Sequence, residues 1–200
     1  MKLIWKIGIP ASLVIATAIA AGVISYKVFY VGDFAVVESG VLYRCRQPSR
    51  LQWNVLTSYN IRTVVNLRMV EEDPNAFEQE KSACAKAGVK LVHIPVVAMP
   101  TDEQVDEFLR TVRDHPPVLV HDHTGKSRTG VMAAAYRVVF DNWSVEEAMI
   151  ELGNLGGASG GNKGNKTTEL LTRVKADRAK WLAPASQPAS GPASQPATRS

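Results

Sequence analysis

Ten consecutive residues constrain this chain more than any others: His121-Asp122-His123-Thr124-Gly125-Lys126-Ser127-Arg128-Thr129-Gly130. The apolar run Val118-Leu119-Val120 precedes them and reads, with His121, as a short buried strand. Arg128 to Asp141 contains no proline and reads as a helix. A strand, a glycine-containing loop and a helix in that order aim several backbone N–H groups into one concavity. The helix N-terminus adds positive potential there. Gly125 permits the tight curvature. Arg128 can fork two N–H bonds onto a tetrahedral oxyanion, and Thr129 offers a hydroxyl to the residue at the loop start. His123, Thr124, Gly125, Lys126, Ser127, Arg128 and Thr129 are therefore expected to line an anion cradle.

The same alternation runs through residues 33–182. Val41-Leu42-Tyr43 reads as a strand, and Pro48 to Tyr59 as a helix with Leu51, Val55 and Leu56 on one side. Ile61 to Leu67 is β-branched and short, as a buried strand is. Pro74 to Ala87 reads as a helix, with proline in its first turn and Gly88 at its end. Val89 to Ile94 reads as the next strand. Thr101-Asp102-Glu103-Gln104 and Ser144-Val145-Glu146-Glu147 are capping boxes, each opening a helix. A glycine-rich loop is expected over Gly153 to Gly164, then a last helix from near Thr167 to Trp181. The expected fold is α/β, with a central, mostly parallel sheet covered by helices.

The loop resembles the signature of the cysteine-dependent tyrosine and dual-specificity phosphatases: His-Cys, five residues, Arg, then Ser or Thr. His121, Gly125, Arg128 and Thr129 match it. Gly125-Lys126-Ser127-Arg128-Thr129-Gly130 looks like the branch acting on inositol phosphates or phospholipids as well as phosphoproteins. Gly40-Val41-Leu42-Tyr43-Arg44, Gln47-Pro48-Ser49, Thr63 to Arg68, His93-Ile94-Pro95 and Asn142-Trp143-Ser144 resemble the atypical dual-specificity group, including its membrane-anchored bacterial members. The resemblance covers residues 34 to 152. It implies a dual-specificity phosphatase-like fold and a phosphate monoester ligand on protein, inositol or lipid, with no cofactor.

Asp122 stands where that family has its nucleophilic cysteine. A carboxylate is a harder, poorer nucleophile than a thiolate, and an electropositive loop keeps it ionised. It is expected to pair with Arg128, fill the phosphate space and repel a phosphate dianion. The chain thus reads as a pseudophosphatase. The alternative is an active phosphomonoester phosphatase with Asp122 as nucleophile through an aspartyl-phosphate. The family's general acid has no counterpart near Lys90 to Pro95, and Asp102 is the nearest candidate. Arg44, Arg46 and Arg68 are candidates for the pocket rim. His121, Asp122 and His123 together form a weak metal-site candidate, and no metal is expected because His121 matches the family's structural histidine.

Ile7 to Tyr26 is a run of 20 residues without a charge, preceded by Lys2 and Lys6 and followed by Lys27. It is long enough to span a bilayer, and the leading lysines favour an N-inside orientation. Residues 1–32 are expected to be a single-pass anchor placing the domain on the extracytoplasmic side. A cleaved signal ending near Ala18-Ile19-Ala20 is the alternative. Residues 183–200 repeat Pro-Ala-Ser and are expected to be disordered. Between the ends, 19 basic residues (23 less Lys2, Lys6, Lys27 and Arg199) balance 19 acidic ones. That balance gives no basic field for nucleic acid. Cys45 and Cys84 fit no metal spacing and read as buried thiols, with a bridge between them or a displaced nucleophile at Cys45 as lesser readings.

Overall fold

The computed structural model describes residues 33–49, 52–53, 59–157 and 160–182, with isolated positions (12, 14, 15, 17–19 and 22) of the N-terminal run. The tail over 183–200, nearly all of the anchor over 1–32 and most of the helix expected over 48–59 lie outside the described residues. Among the described residues, no helix is long and apolar enough to cross a membrane.

Among the described residues, five strands form one sheet: β1 (Ala35–Glu38), β2 (Leu42–Arg46), β3 (Thr63–Asn66), β4 (Lys90–His93) and β5 (Val118–Asp122). Their order is β1-β2-β5-β3-β4, so β5 lies at the centre. All neighbours pair in parallel except β1 with β2. Among the described residues, the helices that follow β3 are α1 (Pro74–Ala87), α2 (Asp102–Asp114), α3 (Ser127–Val139), α4 (Val145–Asn154), α5 (Gly161–Ala176) and the short α6 (Ala179–Leu182).

Alternation along the strands gives the sheet two apolar faces. Leu42, Val65, Val118 and Val120 join residues of α2, α3, α4 and α5 in the larger core. Tyr43, Cys45, Val64 and Leu119 join Cys84 of α1 in the smaller one. The large core takes its stripe from α2, where Val105, Phe108, Leu109 and Val112 recur at helical spacing and are all buried. Each such side chain contributes about 1.5–3 kcal/mol on full burial.

Several helix ends follow their sequence signals. Both capping boxes form, Thr101 with Gln104 and Ser144 with Glu147. Gly88 ends α1 in the left-handed region at φ 66°. Two elements depart from expectation. β1 is a strand that its four residues do not announce, because only Val37 among them is buried. And α5 begins at Gly161, inside the expected glycine-rich loop. Its buried stripe of Gly164, Thr167, Leu171 and Val174 extends one turn upstream, and packing outweighs the poor helix propensity of glycine.

Candidate active site: an anion loop filled by its own carboxylate

Residues alternate across β5, so its last two side chains diverge. His121 turns toward α1, where its Nε2–H donates to Glu80 Oε1 at 2.7 Å. Asp122 turns into the loop between β5 and α3. There it is 2 % exposed.

The Asp122 carboxylate takes up the amides of the cradle. Oδ1 accepts from the Thr124 N–H at 2.7 Å and the Gly125 N–H at 2.6 Å, and Oδ2 accepts from the Thr129 N–H at 3.0 Å. The Thr124 hydroxyl adds a contact to Oδ1 at 3.3 Å. Thr129 is the third residue of α3, so the carboxylate also caps that helix. Burial opposes its charge. The amides of Thr129, Gly125 and Thr124, with the charge of Arg128, outweigh burial and hold the carboxyl below its usual range. The Thr129 hydroxyl is buried without a hydrogen-bond partner.

Gly125 makes the loop possible. Its φ is +75°, and a Cβ there would lie 2.6 Å from the Arg46 nitrogen and the Cys45 carbonyl carbon of β2. The loop therefore lies against the β2 backbone, and Arg44 fastens it by donating from Nη2 to the Gly125 carbonyl. Arg44 is only 3 % exposed. It braces the loop from beneath rather than lining a rim, while the buried Arg68 reaches Gln47 and Glu72 instead.

Arg128 does not pair with Asp122 by hydrogen bonds, contrary to the sequence expectation. Its guanidinium forks onto Glu72, Nη1 to Oε1 and Nη2 to Oε2, the latter at 3.0 Å. Nη1 also donates to the carbonyls of Val96 at 3.0 Å and Leu67 at 3.4 Å. Glu72 sits on a 3-10 turn, Val70–Glu72, after β3. The hydrogen bonds from Arg128, before every other influence, pull its carboxyl down to about 2. The shorter Asp122 side chain is already committed to the amides, which leaves the guanidinium to the longer acid across the mouth.

The other candidates take different places. His123, Thr124, Lys126 and Ser127 are exposed on the loop. Asp102 is the first residue of α2, where both of its oxygens accept from Arg173 of α5, at 2.8 and 3.1 Å. That hydrogen bonding holds its carboxyl low, and it has no bond to the loop. Cys45 is fully buried, and burial drives its thiol well above the ordinary range, which makes it no nucleophile. Cys84 is likewise pushed up to about 12, and both thiols are free. His121 faces Glu80 while His123 is exposed, so the two do not converge. Among the described residues no cluster of His, Cys, Asp or Glu is placed to hold a metal ion.

The sequence reading missed Glu72, Glu80 and Gln47. Glu72 and Glu80 lie in a strongly acidic stretch that reads as a solvated surface. No periodic signal separates the buried Glu80 from the exposed Glu78.

A family model described as "DSP-PTPase phosphatase fused to NAD+ Kinase" matches residues 33–170. The dual specificity protein phosphatase TpbA of Pseudomonas aeruginosa is 30% identical over 118 residues, covering 57% of this chain and 50% of TpbA. The inositol diphosphatase DSP3 of Arabidopsis thaliana is 29% identical over 124 residues, 60% of each chain. The chain thus spans about half the length of TpbA and somewhat more of DSP3. The core catalytic domain of the PP-IP phosphatase SIW14 from S. cerevisiae superposes with a TM-score of 0.62 at 21% identity, covering 78% of this chain and 98% of that one. That likeness is one of fold.

Proposed function

The chain belongs to the dual-specificity phosphatase family, and from that premise we propose that it is a phosphatase-fold protein whose turnover is impaired by its own Asp122. One observation carries the reading: the Asp122 carboxylate already accepts three of the loop amides that would otherwise hold a phosphate. With Glu72 on the Arg128 fork, both halves of the cradle meet an acid of the same chain.

The alternative, Asp122 as nucleophile, needs a carboxylate oxygen free for in-line attack on phosphorus. Both oxygens are engaged, and the group is almost fully buried. The ligand class follows the family: a phosphate monoester on protein, inositol or lipid. The name of TpbA points to the first of these, and that of DSP3 to a diphosphate on inositol.

The purified full chain is expected to hydrolyse 4-nitrophenyl phosphate no faster than its Arg128→Ala variant. A robust rate abolished by Asp122→Ala would overturn the proposal and make Asp122 the nucleophile.

The uncharged run from Ile7 to Tyr26 supports attachment to a membrane, with the domain outside the cytoplasm. On carbonate extraction of membranes from expressing cells the full-length chain is expected to stay in the pellet. A soluble, shortened chain would contradict the anchor and favour signal cleavage.

A further inference from the structure

Glu80 is an anomaly on α1. That helix is mostly exposed and buries only Glu80 and Cys84. Glu80 is 0 % exposed, although burial strongly disfavours a carboxylate unless it is fully hydrogen-bonded. Here three N–H groups converge on it. His121 Nε2 donates to Oε1 at 2.7 Å, while Asn66 Nδ2 at 2.7 Å and Gln47 Nε2 at 3.2 Å donate to Oε2. The donors come from three places: the end of β5, the end of β3 and the segment after β2.

Each donor continues toward the anion loop. His121 immediately precedes Asp122, and its carbonyl accepts from the Leu67 N–H at 3.0 Å. Asn66 Oδ1 accepts from the Arg68 N–H at 2.7 Å. Gln47 Oε1 accepts from Arg68 Nη1 at 3.1 Å. Arg68 Nε then donates to Glu72 Oε2 at 3.3 Å, and Glu72 receives the fork of Arg128.

We infer that Glu80 is the positioning residue of the anion loop, holding His121 at the loop's entrance and, through Gln47, Arg68 and Glu72, the guanidinium of Arg128. The inference rests on the reading of the loop as an anion site. An ionised carboxylate only accepts hydrogen bonds. It therefore forces the nitrogen, not the oxygen, of both Asn66 and Gln47 to face it, and it selects the His121 form carrying a proton on Nε2. Once their nitrogens are fixed, the amide oxygens of both residues must face Arg68. A glutamine at position 80 brings an NH2 of its own. It cannot satisfy all three donors, so one arm has to turn or break. The relay is thus directional, and its direction is set at Glu80.

NMR of the 15N-labelled full chain tests this without turnover or phosphate affinity, so its outcome is independent of whether Asp122 impairs catalysis. In the wild type, a slowly exchanging His121 Nε2–H signal and resolved Arg128 guanidinium N–H signals are expected. Glu80→Gln is expected to lose both. The Arg137 signals, from a separate ion pair with Asp141 and Glu151, should stay unchanged and report an intact fold. Gln47→Leu, at a half-buried position, cuts one arm only. It is expected to release the Arg128 signals and keep that of His121, which also serves if Glu80→Gln does not fold. Arg128 signals that remain fixed in Gln47→Leu would overturn the relay. A wild-type His121 without the Nε2–H signal would overturn the role of Glu80.

Discussion

Asp122→Cys is expected to turn this chain into a working phosphatase, with hydrolysis of 4-nitrophenyl phosphate rising at least ~10³-fold over the wild type, since loss of a nucleophile alone costs far more than that in comparable units. Most of the required geometry is present. Gly125 curves the loop against β2, and Arg44 fastens its carbonyl. The amides of Thr124, Gly125 and Thr129 already converge on the side chain at position 122. A thiolate there would be stabilised by the same donors and by the α3 N-terminus. It would also give the unpartnered Thr129 hydroxyl an acceptor.

The choice of leaving group matters. Nitrophenolate departs without protonation, whereas poorer leaving groups need a general acid worth ~10²–10⁴ in rate. Asp102 is held by Arg173. The gain is therefore expected to shrink steeply from 4-nitrophenyl to phenyl phosphate. Initial rates across a leaving-group series measure this. No activity in a folded Asp122→Cys chain would mean that the loop has diverged from a catalytic geometry beyond its nucleophile.

The parts of this fold that sequence makes legible are those written in local chemistry. Two capping boxes, a proline in the first turn of α1 and Gly88 at its end mark helix ends by hydrogen-bonding and φ requirements that short segments carry alone. The loop itself is legible because strand, glycine and helix follow one another without interruption. What escapes is set by tertiary contact. β1 exists because β2 offers it an edge, and α5 starts early because Gly164 packs into the core.

The site divides the same way. Asp122, Gly125, Arg128 and Thr129 are marked by position in the motif. Glu72 and Glu80 meet the site from 50 and 42 residues before Asp122 (122 − 72 and 122 − 80), and nothing in an acidic, solvated-looking stretch announces it. The expectation that Asp122 would pair with Arg128 failed for a related reason. Spacing shows that two groups share a loop, and only the fold shows that a nearer set of amides and a longer acid divide them.

The second large effect concerns binding rather than turnover. An oxyanion entering the wild-type loop must displace a carboxylate held by three charge-assisted hydrogen bonds, each worth about 1.5 kcal/mol or more. Asp122→Ser removes that competitor and its charge. It leaves the amides free, and a small hydroxyl remains beside Thr129. Even with generous allowance for water in the emptied space, affinity should rise by at least ~100-fold, which is about 2.8 kcal/mol. Tungstate is a suitable probe because it is tetrahedral, doubly charged and chemically inert in the site.

Calorimetric titration of tungstate into wild type and Asp122→Ser, side by side at neutral pH and fixed ionic strength, addresses the central claim directly. A filled cradle predicts tight binding to Asp122→Ser, at least ~100-fold weaker binding to the wild type, and weaker binding of both chains when Arg128→Ala is added. Equal affinity of the two chains, with both folded, would contradict it: the Asp122 carboxylate would then not occupy the anion site.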